Sequence, residues 1–356
     1  MDELISRMPD KTIITAIDFF CGAGGLTRGF LDRGINVILG IDNRESCRRT
    51  YEQNNPSVRF MCCDIRKLSF SQLAKEISGI PRDQLVFAAC APCQPFSKQR
   101  TIAKDIHQRT LLSCFTKFVQ KFRPGFVLVE NVPGIARVKG NSAYKRFISA
   151  LRRLGYHYDS ADVDAKDYGV PQTRRRHVLL ASRLTRIYIP EPTHGSSRIP
   201  YETVKTAISH FPPIKAGETH PTVPNHRASF LSAANLKRLR HTPSDGGNRR
   251  DWPKNLFLPC HKGKYKGHTD VYGRMWWDRP APALTCKCHS LSNGRYGHPD
   301  QDRAISLREA AALQSFPDIY IFYGNSKQEV GDQIGNAIPV RLAREIGRTI
   351  VRSCIR

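Results

Sequence analysis

Five short runs of branched apolar residues recur through the first half of the chain: Ile13–Ile17, Val37–Ile41, Leu85–Ala89, Phe126–Val129 and Val178–Ala181. Runs this short, without polar alternation, read as strands buried on both faces. Helix-length segments such as Arg44–Gln53 and Thr110–Phe122 lie between them. Strand, helix and strand in repetition predict an α/β fold with a doubly wound, mostly parallel sheet. In such a sheet, ligands and chemistry gather at the carboxyl ends of the strands. A length of 356 residues leaves room for a second domain or a large insertion.

At Ile189 the texture changes. Pro190, Pro192, Pro200, Pro212, Pro213, Pro221 and Pro224 interrupt the chain, and the alternation stops. Residues 191–300 hold 17 Lys or Arg against 8 Asp or Glu, a net +9, with 9 of the 12 histidines and all three tryptophans. Basic residues interleaved with aromatics suit contacts to phosphates and bases. The region also holds Trp252, Trp276 and Trp277; a small irregular domain whose aromatics form its own core is the other reading, and Trp276–Trp277 in particular suit such a core. The whole chain, with 56 Lys or Arg and 31 Asp or Glu, carries +25, which points to a polyanionic partner such as nucleic acid. After about residue 303 helical order returns. Ser306 and Glu309 form a capping box opening Ala310–Gln314. Leu342, Ile346 and Ile350 give Val340–Cys354 a helical apolar face that is expected to rejoin the first domain.

No apolar run reaches the roughly 18–20 residues that span a bilayer, and Met1–Lys11 lacks the apolar stretch of a secretory signal. The 11 scattered cysteines read as reduced thiols in a cytoplasm. Cys260-His261, Cys286-Lys287-Cys288-His289 and His298 offer metal-ligand types at no usual zinc spacing, so no metal is expected.

Five segments can carry chemistry. Asp18–Gly25 follows the first strand, and its glycines allow close backbone approach to a ligand at a helix N-terminus. Its spacing is not that of a dinucleotide fingerprint; an adenosyl ligand with a carboxylate fits as well, and so does a purely structural turn. Asp42 ends the second strand, where an acid commonly accepts hydrogen bonds from ribose hydroxyls. Asp64 follows another apolar stretch and can reach an adenine amino group. Either acid also fits an ordinary strand-end cap. Cys93, bracketed by Pro92 and Pro95 beyond Leu85–Ala89, reads as a nucleophile more readily than as a buried inert thiol. Glu130 begins where an apolar strand stops, a costly place for a carboxylate without a partner. It fits a proton donor or a structural ion pair. In Gln172–Arg176, alternate arginines approaching a strand share one face, which puts Arg174 and Arg176 on the same side; a solvated basic face is the other reading.

Taken in order, these segments resemble the motifs of the DNA (cytosine-5) methyltransferases of the prokaryotic modification type. The resemblance rests on Asp18–Gly25, Pro92-Cys93-Gln94, Glu130-Asn131-Val132, Gln172–Arg176, Arg308–Ala311 with Leu313–Pro317, and Gly335–Pro339. It covers nearly the whole chain except the region near 191–300. Ala91, Ala312 and Ala283 depart from the proline, arginine and threonine common in the family.

The resemblance implies a Rossmann-like, S-adenosylmethionine-dependent fold with a smaller, irregular target-recognition domain. Residues 1–190, completed by 330–356, would form the catalytic and cofactor domain, and 191–329 the recognition domain. It implies that Phe20, Gly22, Ala23, Gly25, Asp42, Asp64, Pro92, Asn336 and Ile338 hold S-adenosylmethionine. Cys93 would be the nucleophile, Glu130 the cytosine-binding acid, and Arg174 and Arg176 the arginines flanking the base. Lys98–Thr110 would be a loop closing over DNA. The implied partner is double-stranded DNA, acted on by a monomer in a prokaryotic cytoplasm, at the nucleoid, with a restriction endonuclease as functional partner. An RNA (tRNA) cytosine methyltransferase on the same scaffold is the alternative.

Overall fold

The structure is a computed structural model that describes residues 13–91, 102–138, 140–261 and 269–354, with the backbone alone for 102–109. Seven strands form one sheet: β1 (Thr15–Phe19), β2 (Asn36–Asp42), β3 (Arg59–Cys62), β4 (Leu85–Ala89), β5 (Phe126–Asn131), β6 (His157–Asp164) and β7 (Arg175–Ser182). Their order is β3-β2-β1-β4-β5-β7-β6. Neighbours from β3 to β5 pair in parallel, whereas β7 runs antiparallel to both β5 and β6.

Each of the five apolar runs holds a strand, the first only from Thr15 onward with Ile13 exposed, and every residue of β1, β4 and β5 is buried. β6 went unforeseen for a physical reason. It is an edge strand with a single fully buried position, so its sequence, His-Tyr-Asp-Ser-Ala-Asp-Val-Asp, shows no apolar run.

Among the described residues, ten α-helices complete the fold. They are α1 (Gly25–Leu31), α2 (Arg48–Asn54), α3 (Phe70–Glu76), α4 (Ile102–Phe122), α5 (Ala143–Arg153), α6 (Val204–Ile208), α7 (Ala233–Arg240), α8 (Leu307–Leu313), α9 (Lys327–Asn336) and α10 (Val340–Cys354). The segment expected as a loop over Lys98–Thr110 is helical from Ile102 onward, and residues 98–101 lie outside the described residues.

Strand alternation sorts the apolar side chains into two cores. Ala16, Val86, Ala88 and Leu128 face α1 and α10 through Phe30, Leu342 and Ile346. Ile17, Phe19, Phe87, Val127 and Val129 face α4 and α5 through Phe115, Phe118 and Phe147. A third core joins the two halves of the chain. Val204, Ile208, Met275, Leu284 and Tyr296 pack with α8, with Ile334 of α9 and with Ala23 of the glycine turn. A fourth, small core around Leu239, Leu256, Tyr272 and Leu291 holds Trp252, whose Nε1 donates to Thr242 Oγ1 at 2.8 Å. That tryptophan is therefore structural. Trp276 is different: it is half-buried between the guanidinium groups of Arg279 and Arg295, at 4.8 and 4.1 Å.

The capping box of α8 is present and does more than cap. Glu309 also takes two hydrogen bonds of 2.7 Å from Arg303, and both side chains are fully buried. This fork-to-fork pair fixes Arg303 against the first turn of α8.

α10 packs the apolar face that its spacing predicts against α1. The approach requires glycine at position 29: a Cβ there would sit 2.6 Å from both Ala343 Cβ and the Val340 carbonyl. Gly29→Ala should therefore destabilise the protein by about 1–3 kcal/mol, the usual cost of forcing atoms into a packed contact. Urea denaturation checks this, and a stability within about 0.5 kcal/mol of the parent would mean that the helices separate freely.

Candidate active site

The carboxyl edge of the sheet is open between β1, β2, β4 and β5, and there the chain builds a cavity of about 300 Å³. Its floor is the turn after β1. Phe20, Gly22 and Gly24 all have positive φ, of 63°, 51° and 85°. Glycine meets two of these demands without strain, and the third falls on Phe20. Gly25, the first residue of α1, lies directly beneath the Ile338 carbonyl, where no side chain fits. The end of β2 supports the turn: Asp42 accepts from Gly22 N and from Arg44 N, each at 2.9 Å. A carboxylate so placed keeps acceptor capacity for a further donor.

Phe20, Gly22, Ala23, Gly25, Asp42, Glu130, Arg174, Arg176, Asn336 and Ile338 all line this cavity. Asp64 lines a second space of about 150 Å³ on the far side of Phe20 and Asp42. Its carboxylate is held by Arg66, through Nε at 2.9 Å and through Nη2, and this pairing takes its pKa down to about 2. Pro92 and Cys93 lie outside the described residues.

β7 brings its arginines to this edge because it is antiparallel to β5. Glu130 pairs with Val178 and Asn131 with His177, so the beginning of β7 meets the end of β5. Arg176 Nε lies 2.8 Å from Glu130 Oε1, and both side chains are largely buried. Arg174 is 3 % exposed and directs its guanidinium at backbone carbonyls: Leu284 and Gly335 at 2.8 Å, and Ala337 at 3.3 Å.

Asp18, Gln333 and Asn131 are cavity residues to which the sequence reading gave no individual role, although Asp18 and Asn131 stand inside motifs it singled out. Asp18 is 1 % exposed; its Oδ2 accepts from Thr27, and its Oδ1 has no hydrogen-bond partner among the described residues. The signal was available, since Asp18 is a carboxylate inside the apolar run of β1. Gln333 is buried too. Its Nε2 donates to the Ser46 and Tyr323 carbonyls, at 3.2 and 2.7 Å, and its Oε1 has no partner among the described residues. No local pattern marks it, because only the fold brings α9 to this edge. Asn131 Nδ2 donates to the Ala91 carbonyl at 3.0 Å, anchoring the residue just ahead of Pro92. Beside them, burial and then the carboxylates of Glu130 and Asp18 push the Cys90 thiol well above its usual range.

A sheet of this order, with a glycine turn, strand-end acids and buried acceptors around one cavity, defines a Rossmann-like methyltransferase fold. The family profile of the C-5 cytosine-specific DNA methylases matches residues 14–352. The chain is 40% identical over 342 residues to the Type II methylase M.HgiDII of Herpetosiphon aurantiacus, covering 94% of each. It is 32% identical to the Type II methyltransferase M1.HphI of Haemophilus parahaemolyticus, covering 95% of this chain and 87% of that one. The fold matches a crystallised prophage-encoded chain of E. coli, a candidate DNA modification methyltransferase, with a TM-score of 0.76 at 21% identity, over 96% of this chain and 100% of that one. The chain belongs to the C-5 cytosine-specific DNA methylase family.

Burial pushes the Asp18 carboxyl from 3.8 up to about 7. The folded state thus holds this proton more tightly than the unfolded chain. The associated stability is fully present below about pH 3.8 and is lost as the pH rises through about 7. Asp18→Asn should flatten the decline in urea midpoint across that window, and an unchanged slope would show that another group causes it.

Proposed function

We propose that this chain methylates C5 of cytosine within a specific sequence of double-stranded DNA, by a covalent route, as the modification half of a restriction-modification system. The observation that carries the reading is the Glu130–Arg176 pair, buried at 2.8 Å on the wall of the cavity formed by the glycine turn. The membership in a DNA methylase family and the Type II names of its relatives support it over an RNA substrate.

The cavity fits S-adenosylmethionine. Asp18 Oδ1 and Gln333 Oε1, buried acceptors without partners among the described residues, suit a donor such as the ammonium group of a methionyl moiety. Asp42 stands where ribose hydroxyls would donate, and Phe20 offers a ring face between the two spaces. Asp64, already paired with Arg66, would accept from an adenine amino group only by sharing its oxygens. Asn336 and Ile338 close the cavity from the α9 side. Bound there, S-adenosylmethionine would supply an electrophilic methyl group, the pair of the broken S–CH3 bond staying on sulfur as the thioether of S-adenosylhomocysteine.

Cytosine C5 is a weak nucleophile, and the protein must make it a stronger one. The thiolate of Cys93 adds to C6, and the C5–C6 π pair becomes available at C5 for methyl capture. Glu130 holds N3 and the exocyclic amine as charge develops on the ring, and Arg176 fixes the Glu130 carboxyl in place. Loss of the C5 proton to a base or to water then returns the electron pair, expels the Cys93 thiolate and restores the aromatic ring. No metal is required. The target cytosine has to leave the stack to reach this cavity, and the +25 chain favours the phosphate contacts that hold the duplex. Residues 191–329 are assigned to target recognition, with 1–190 and 330–356 holding cofactor and chemistry. The enzyme acts as a monomer in the cytoplasm, on DNA at the nucleoid.

Bisulfite sequencing of DNA from a host expressing the chain should reveal one protected sequence context; an unmethylated genome would overturn the reading. Cys93→Ala should abolish methyl transfer while S-adenosylmethionine still binds. Glu130→Gln should slow transfer by roughly a hundredfold, the scale of losing preorganised charge stabilisation, with little change in DNA affinity. Turnover unchanged in either variant would remove that residue from the chemistry. Exchanging 191–300 for the matching region of a relative should move methylation to the donor's sequence, and a chimera that still marks the original site would place specificity elsewhere.

A further inference from the structure

We propose that Arg174 is a positioning residue that sets the cofactor-facing end of α9 by tying it to the recognition-side segment Leu284–Cys286, rather than a residue that touches the target base. The inference rests on the cofactor reading given above.

The segment just before β7 is clasped on both sides. Ala281 N donates to the Pro171 carbonyl at 2.9 Å, and Thr173 N donates to the Ala281 carbonyl at 2.8 Å. Gln172, fully buried, accepts from Leu284 N at 2.9 Å and donates to the Leu313 carbonyl and Gln314 Oε1, at 3.2 and 3.0 Å. Arg174 Nη1 then donates to the Leu284 carbonyl at 2.8 Å. Both polar groups of one recognition-side residue are thus bound by alternate side chains of one short segment.

The other arm of Arg174 does a different job. Nη2 donates to the carbonyls of Gly335 and Ala337, which flank the cavity residue Asn336. These carbonyls lie at the end of α9, where the last turn leaves acceptors without intrahelical donors and where a cation is favoured. A rigid planar fork spans the two elements, and a lysine ammonium does not. The joint has no slack. A Cβ at Gly335 would lie 2.5 Å from Cys286 N, and one at Gly331 would lie 2.6 Å from the Cys286 carbonyl. To turn Arg174 toward a base would strip hydrogen bonds from three carbonyls in a buried place.

Two roles separate in measurement. A residue that shapes the α9 end acts on cofactor affinity; a residue that contacts the base acts on the rate with cofactor saturating. In the full-length chain, Arg174→Lys should weaken S-adenosylmethionine binding about tenfold, in line with losing roughly one charged hydrogen bond, when read by calorimetry without DNA. Its single-turnover rate at saturating cofactor should stay within about threefold of the parent. Arg176→Lys should do the reverse. An Arg174→Lys protein with unchanged cofactor affinity overturns the proposal, whether its rate falls (a base contact) or not (a plain strut). If that variant lacks the parent's cooperative melting, Gly335→Ala disturbs the same joint from the α9 side and should show the same split. Failure of both to fold also overturns the proposal. A parent chain that binds no S-adenosylmethionine would instead defeat the cofactor reading itself.

Discussion

The antiparallel pairing of β5 with β7 is the constraint on which the site depends. Five strands run one way and bring their carboxyl ends to a common edge. A further parallel strand would deliver only its own last residues there. β7 reverses, so its first residues arrive instead, and the register that sets Glu130 against Val178 leaves Arg176 one diagonal step from Glu130. An acid at the end of an apolar strand is expensive alone; the reversed neighbour supplies its partner at 2.8 Å. The same reversal sends Arg174 across to the α9 carbonyls and to Leu284. One topological choice therefore builds the charge pair and joins the two halves of the chain.

The charges divide by location. Most of the excess positive charge is exposed, where ion pairs such as Arg48 with Glu45 contribute little to folding. The buried arginines are engaged. Arg303 is matched by Glu309, and Arg274 donates to the carbonyls of Thr242, Leu239, His298 and Gln301. The acids Asp18, Asp42 and Glu130 gather round one cavity in a chain that is strongly basic overall. That contrast suits a protein whose surface meets a polyanion while its interior receives a cationic small molecule.

The stretch 191–300 shows why composition alone could not sort fully buried aromatics from half-buried ones. Trp252 and Trp276 lie in the same basic, histidine-rich stretch. Trp252 is buried in a small core with its ring nitrogen bonded to Thr242, whereas Trp276 is half-buried with two guanidinium groups over its ring. Nothing in the local sequence distinguishes them, because the difference lies in which distant segments fold beside each.

What the sequence determined by itself was whatever is encoded within a few residues. The apolar runs of β1, β2, β4, β5 and β7 were legible because strands buried on both faces must be continuously apolar. The glycine turn, Asp42 and Glu130 were legible because their chemistry is written at the ends of those runs. The capping box of α8 and the apolar face of α10 were local in the same sense. Tertiary structure decided what depends on contacts between remote segments. β6 is a strand because β7 offers it an edge, not because its own sequence is apolar. Arg174 and Arg176 look equivalent in sequence, yet one reaches three carbonyls and the other a carboxylate. Asp18 and Gln333 face one cavity only because α9, more than 300 residues along the chain, packs against the turn after β1. Periodicity and caps are properties of neighbours in sequence, whereas burial and partnership are properties of neighbours in space.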